Sequence, residues 1–432
     1  MAQIINGKDK KIIVNQINEL YKQNARSGIY EDGYEYFYTC PDPKIYPHQW
    51  FWDSCFHIIV NAKLGNFDAA IAELDSLLHF QSANGFIGHM IYWKKQFSLI
   101  DSVLHHWYPE AEMSPFIQPA YLAHALNSLY NGLKTHSVEN SEKAKEVLKK
   151  YYTPIKKYYD CIFNERVLYP DRPLISIIHP WESGTDNIPK YDRVLGISGS
   201  LMSLKWGYQL IKVLRVNSIC DWDYEKIKNR DCFVVEDVLV NSVYIDGLWI
   251  LADLAEKLGI DNKGLMERAE MMEKAMITEM YNKEDKIFYD TYGKNHIQSQ
   301  TKTVSSFAAF NLRIINKEVI EEMIKNHLLN NHEFNTSYPI PSVAKDHDQY
   351  NPKNSVTLWR GPTWIATNWY IVKGLKRHQE NNNLITNTLE KVKNSSIKLI
   401  RKSGLREYYN PETGQGYGAE GFGWSALIID FL

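Results

Sequence analysis

Phe67-Asp68-Ala69-Ala70-Ile71-Ala72-Glu73-Leu74-Asp75-Ser76-Leu77-Leu78-His79-Phe80-Gln81 is the stretch from which the fold can be read. Its apolar residues recur at steps of three and four with acidic positions between them, so it predicts an amphipathic helix. Ala83-Asn84-Gly85 closes it, as a glycine just beyond the last periodic residue does. Toward the N-terminus lie a helical pattern at about 51–64 and another from Lys11 to about Ala25, carrying Ile12, Ile13, Ile17, Leu20 and Tyr21. Toward the C-terminus similar patterns recur at about Pro115–Leu133, 142–164 (with lysine-rich exposed positions), 199–214 and 236–258. They continue at Lys263–Tyr281, behind a cap at Asp261-Asn262, and at about 303–312, 317–329, 362–378, 383–402 and 422–431. Convincing strand pairs are almost absent.

The helices have a rhythm. Short links alternate with long aromatic, proline-containing loops at about 26–48, 84–114, 165–198, 330–361 and 403–421. A double ring of helices with the long loops gathered at one end accounts for this. Loops of that length in a compact domain usually carry function. No short repeat points to a solenoid, and no linker divides the chain, so residues 1–432 are expected to form one domain.

The chain is 44% hydrophobic and 23% charged with a net charge of −2, which provides no electrostatic footprint for nucleic acid or an anionic membrane. Aromatic residues make up 13%, with 28 Tyr and 12 Trp, many of them in the loops. Rings in loops stack on flat apolar faces such as sugars, although bulky filler for a large barrel would need them too. Cys40, Cys55, Cys161, Cys220 and Cys232 are scattered, with no C-x-x-C, so neither a disulfide framework nor a zinc site is expected. The first residues lack the apolar core of a signal peptide, and no apolar run approaches the roughly 18 residues of a membrane span. The expectation is a soluble cytoplasmic protein without metal or cofactor.

The loop His179-Pro180-Trp181-Glu182-Ser183-Gly184-Thr185-Asp186-Asn187-Ile188-Pro189-Lys190-Tyr191-Asp192 has no helical or strand period and concentrates three carboxylates beside a tryptophan. Four other motifs share its character. In Tyr46-Pro47-His48-Gln49-Trp50-Phe51-Trp52-Asp53-Ser54, Trp50 and Trp52 flank a site. Asp53 there either accepts paired hydroxyls or serves as a first-turn carboxylate. Ser114-Pro115-Phe116-Ile117-Gln118-Pro119 holds Gln118 as a polar ligand. Leu358-Trp359-Arg360-Gly361-Pro362-Thr363-Trp364 opens a helix, with Arg360 binding a substrate oxygen or pairing with a loop carboxylate. Arg406-Glu407-Tyr408-Tyr409-Asn410-Pro411 brings a carboxylate from far along the chain, ahead of Gly-Phe-Gly-Trp424-Ser425.

There is no phosphate loop, no nucleophile elbow and no histidine pair at metal spacing. Paired carboxylates in an aromatic pocket remain. Hydrolysis of a glycosidic bond needs one carboxyl protonated and one ionised. Glu182, Asp186, Asp192 and Glu407 are the candidates. A sugar isomerase would instead need histidines converging on the sugar, with His89, His105 or His179 in view.

The run His179 to Asn187 resembles the acid motif of glycoside hydrolase family 63, and most nearly its short bacterial branch, the glucosylglycerate and mannosylglycerate hydrolases. Tyr46 through Asp53, Trp359-Arg360-Gly361-Pro362-x-Trp364 and Glu407-x-Tyr409-x-Pro411-x-Thr413-Gly414 match that branch in order, over nearly the whole chain. The resemblance implies an (α/α)6 barrel and inverting hydrolysis, with Asp186 as general acid and Glu407 as general base. It implies Trp50, Asp53, Gln118, Trp181, Glu182, Trp359 and Trp364 around the terminal sugar; Trp52, Asn187 and Arg360 are expected as further substrate-binding residues from their place in the motifs. Tyr46 and Tyr224 would lie near the aglycone. It also implies a small glycoside as substrate and association between copies. Family 63's larger members carry an extra β-rich N-terminal region; none is expected here, which favours a small substrate over a glycoprotein glycan. A basic residue for a glycerate carboxylate has no clear counterpart, and the segment 212–230, with Arg215, Lys226, Lys228 and Arg230, is where it is expected. A trehalase-like enzyme acting on a neutral disaccharide, and a sugar isomerase or carbohydrate-binding protein on a helical barrel, are the alternatives.

Overall fold

The structure, a computed structural model, describes residues 7–94, 112–198, 202–353 and 358–432. Among the described residues, six helices pack side by side in a closed inner ring. Phe51–Leu64 packs on Leu122–His136, which packs on Val238–Leu258, which meets Val304–Asn311. Ile365–His378 and then Gly423–Phe431 follow, and the last returns to Phe51–Leu64. Outside them Phe67–His79, Val138–Arg166, Lys263–Met280 and Asn383–Ser403 each back the inner helix that precedes them, and Gly7–Asn24 backs Gly423–Phe431. Lys317–Met323, continued by a wider turn over Ile324–Leu328, follows Val304–Asn311. This is an (α/α)6 barrel.

Position in the ring explains the composition of the helices. Outer helices show one apolar stripe, as Phe67–His79 does with Ala70, Leu74 and Leu77 buried. An inner helix meets protein on every side. Val238–Leu258 is buried from Val238 through Ala252, with Asp237 capping its start by accepting from the Val240 N–H at 3.0 Å. That helix corrects the expectation of no membrane-length apolar run. It is long and apolar enough to cross a bilayer, with a mean hydropathy of 1.5, yet 94% of that window is buried inside the barrel.

Two other expectations fail for local reasons. The helix expected from Pro115 begins only at Leu122. Pro119 has no N–H to give a helix, and the chain before it has no regular structure, so that the Ile117 N–H and the Gln118 side-chain carbonyl serve other partners. The loop at 26–48 contains a β-hairpin, Ala25–Ile29 paired antiparallel with Glu35–Thr39. Its Tyr36 and Tyr38 turn inward to the core, and the Trp93 ring stacks on Tyr36 with centroids 4.6 Å apart. Short strands Ser176–Ile177, Val235–Glu236, Thr291–Tyr292 and Ile297–Gln298 form a four-stranded sheet that the sequence, with its near absence of strand pairs, did not lead one to expect. The inner helices present their N-terminal ends to one side of the barrel, where Trp50, Gln118, Trp364 and Phe422 each stand at or just ahead of an inner helix.

Candidate active site

A cavity of about 260 Å³ opens at that end of the barrel. Tyr46, Trp50, Trp52, Asp53, Gln118, Trp181, Asp186, Trp359, Trp364 and Glu407 all line it. Each expected motif contributes at least one wall.

Trp50 ends a two-residue strand paired with Met90–Ile91 and leads directly into helix Phe51–Leu64. The first turn of that helix holds Asp53, and the Trp52 N–H is satisfied by Gln118 Oε1 at 2.9 Å. One role of Gln118 is therefore structural: its carbonyl caps an orphan helix donor. Among the described residues, three buried polar atoms on the lining have no partner: Trp50 Nε1, Trp364 Nε1 and Asp53 Oδ1. Buried polar groups are normally paired, so the three form a set of ligand-ready contacts. Asp53 is held well above the usual carboxylate range by burial, with Glu407 and Glu73 adding to it.

Asp186 follows the tight turn Pro180–Ser183, which ends at Gly184 with φ 69°. A side chain there would be strained, and its Cβ would come 2.4 Å from the Trp52 ring. Glycine thus lets the loop lie against the tryptophan and aim Asp186 at the cavity. Burial pushes the Asp186 carboxyl up to about 7, with the Glu407 charge contributing. Glu407 arrives from the other end of the chain, just before the strand Tyr408–Tyr409. Its Oε1 accepts from the Tyr46 hydroxyl at 3.1 Å and its Oε2 from the Ala419 N–H at 3.0 Å. The close approach needs Gly418, since a Cβ there would sit 2.4 Å from Glu407 Oε2. Burial raises the Glu407 pKa, and the Ala419 and Tyr46 donors oppose the rise. The cavity therefore holds two carboxyls that burial helps to keep protonated, Asp53 and Asp186, and a third, Glu407, whose two oxygens are oriented by donors. That division of labour is what acid/base catalysis requires.

Four expected ligands lie elsewhere. Glu182 points away from the cavity and is saturated by Arg166 at 2.8 and 2.5 Å and by the N–H groups of Ile117 and Ile178 at 3.0 and 2.7 Å. Tyr224 lies behind this pair, with the Arg166 guanidinium 4.4 Å from its ring centre. Arg360 forms a bidentate pair with Asp192 at 2.7 and 2.5 Å, the loop-carboxylate alternative. Asn187 accepts from the Trp359 N–H at 3.1 Å and so ties the acid loop to the tryptophan loop. In each case a charged or amide group anchors a wall. Arg215, Lys226 and Arg230 are exposed, and Lys226 and Lys228 pair with Asp221 and Glu225. Among the described residues no lysine or arginine lines the cavity.

Pro41, Met90, Leu358, Phe422 and Trp424 line it although the sequence did not assign them there. Trp424 belongs to the end of the last motif, and its indole N–H donates to the Glu407 carbonyl at 3.2 Å. Of the histidines that would mark an isomerase, His89 reaches the cavity, while His179 is buried against Phe116 with its pKa pushed down to about 3 by burial. His105 lies outside the described residues.

The family model for the mannosylglycerate hydrolase MGH1-like glycoside hydrolase domain matches residues 46–425. The chain belongs to this branch of glycoside hydrolase family 63. The mannosylglycerate hydrolase of Rubrobacter radiotolerans is 25% identical over 423 residues, covering 91% of this chain and 92% of its own. The glucosylglycerate hydrolase of Mycolicibacterium hassiacum is 24% identical over 445 residues, covering 91% and 94%. The family 63 mannosylglycerate hydrolase of Thermus thermophilus, in complex with Tris, superposes with a TM-score of 0.84 at 22% identity, covering 97% and 99% of the two chains. The fold is shared throughout, and this family 63 member is a glycoside hydrolase.

Proposed function

We propose that this glycoside hydrolase is an inverting, exo-acting α-glycosidase that cleaves glucosylglycerate or mannosylglycerate to the free sugar and glycerate. The observation that carries the reading is that Asp186 and Glu407, 221 positions apart in the chain, line one aromatic cavity. In this scheme the terminal sugar lies among Trp50, Trp52, Trp181 and the stacked pair Trp359 and Trp364, whose ring centres are 3.9 Å apart. Asp53 Oδ1 and the two indole N–H groups take its hydroxyls. Asp186 protonates the glycosidic oxygen while Glu407 removes a proton from water attacking the opposite face of the ring. The names of the relatives from Rubrobacter, Thermus and Mycolicibacterium support the two glycerate glycosides as substrates.

Incubation with glucosylglycerate, mannosylglycerate, trehalose, kojibiose and nigerose tests the substrate. Turnover of a glycerate glycoside, with the β anomer appearing first in the proton NMR spectrum, is the expected result. First appearance of the α anomer would mean retention and remove the water-activating role of Glu407. A neutral disaccharide is the second reading. It is favoured by the absence of lysine and arginine from the cavity wall among the described residues, and turnover of trehalose alone would establish it.

The Tyr46 hydroxyl supplies one of two donors to Glu407. In Tyr46→Phe the base is expected to become harder to ionise, because a donor that favours its charged form is gone. The acid limb of the kcat profile should move to higher pH, with the basic limb in place. An unmoved acid limb would show that Tyr46 does not tune the base.

A further inference from the structure

A second, larger cavity of about 870 Å³ opens where helices Phe51–Leu64, Leu122–His136, Ile365–His378 and Gly423–Phe431 end, away from the residues that line the sugar cavity. Its wall carries Lys63, Lys373, Lys376 and Lys393, against Asp430 and Glu390. Helix C-termini carry partial negative charge and favour cations in the last turn. Lys63 and Lys376 lie in last turns and answer that charge. Lys63 also pairs with Asp430 at 3.0 Å, and Lys393 reaches Glu390 only at 4.0 Å.

Lys373 is not accounted for in this way. It stands outside the last turn of its helix, with its ammonium 4.6 Å from the centre of the Trp369 ring. Neither Lys373 nor Lys376 has an ion-pair partner among the described residues. They are three positions apart on one helix, so they share a face. Asn127, Asn131 and Thr135 add amide and hydroxyl groups from the facing wall. We infer that this cavity is a binding site for a small phosphorylated anion, held by Lys373 and Lys376. Its volume is in the range of small-ligand pockets and exceeds what a single phosphate needs. Lysine is a common phosphate binder through its compact charge. An anion here would also offset the desolvation of Lys373, whose pKa is lowered by burial despite Asp246 and Asp430.

Titration calorimetry of the whole protein with inorganic pyrophosphate, in near-physiological sodium chloride, tests the site. Saturable binding is expected, weakened at least about tenfold in Lys373→Met/Lys376→Gln and unchanged in Asp186→Asn, because two charge-assisted contacts are removed and the sugar cavity is untouched. Glycosidase activity of the double variant should equal that of the unaltered chain. Should the double variant fail to fold, exposed Lys376→Glu alone is expected to weaken binding to a similar degree. Absence of saturable binding, binding that survives Lys373→Met/Lys376→Gln or Lys376→Glu, or binding lost in Asp186→Asn would each overturn the assignment.

Discussion

Asp186→Asn is expected to lower kcat by roughly 10²–10⁴-fold, the usual contribution of a positioned proton donor. The variant should remain folded, because asparagine has nearly the shape of the protonated acid. The pH dependence follows from the same group. Asp186 is pushed up to about 7, so the proton it must donate is lost as the pH rises through that value. Activity of the unaltered enzyme should therefore fall on the alkaline side with a midpoint near 7. On the acid side it should fall as Glu407 is protonated, above the ordinary glutamate range because burial raises its pKa. The asparagine variant should lose the alkaline limb. Its stability gives an independent check. Between the ordinary aspartate value and about 7 the folded state holds a proton that the unfolded chain has released. Stability contributed at this position thus declines with rising pH across that window. Above it, Asp186→Asn should melt at a higher temperature than the unaltered chain. A kcat within tenfold of normal, or an alkaline limb that persists in the variant, would exclude Asp186 as the donor.

The parts of the site that could be read from sequence are those fixed by local spacing. Trp50 and Asp53 sit across the start of one helix, and Trp359 and Trp364 lie just ahead of another, so short motifs place them together. Helical periodicity likewise anticipated the ring, because each inner and outer helix has its own apolar pattern. What sequence concealed was the choice between a ligand contact and a structural one. Glu182 has the character of a sugar ligand, but Arg166, on a helix 16 positions earlier, occupies it. Arg360 is taken by Asp192, 168 positions away. Such pairings depend on which helices become neighbours, and no local pattern encodes that. Trp424 escapes sequence reasoning for the same cause: it reaches the cavity only because the last inner helix closes the ring beside the first. The hairpin at Ala25–Thr39 is hidden because its burial alternates weakly on the first strand, which is partly exposed along its length.

Arg166→Met is expected to destabilise the fold by about 3–5 kcal/mol, the cost of leaving one member of a buried ion pair without its partner. Arg166 and Glu182 are 1% and 0% exposed, so water cannot replace the lost contact. Burial alone would lower the Arg166 pKa, yet Glu182 more than offsets this and leaves it raised. The consequence should reach the chemistry as well, because Glu182 joins three parts of the site. Its carboxylate holds the Ile117 N–H, one position before Gln118, and the Ile178 N–H, just ahead of the acid loop. Once Arg166 is gone, the buried carboxylate has lost its counter-charge and shifts in search of another partner, and both backbone anchors loosen. A raised KM together with a lowered kcat is then expected, since the Gln118 and Trp181 walls move relative to Asp186. Chemical denaturation of Arg166→Met, Glu182→Gln and their combination separates charge from shape. The double variant should recover part of the stability lost in Arg166→Met, because no unpaired charge remains and the glutamine carbonyl can still accept one backbone N–H. Additive losses across the cycle would mean that the two side chains stabilise the fold independently, and the pair would then not be what holds the acid loop against the Gln118 segment.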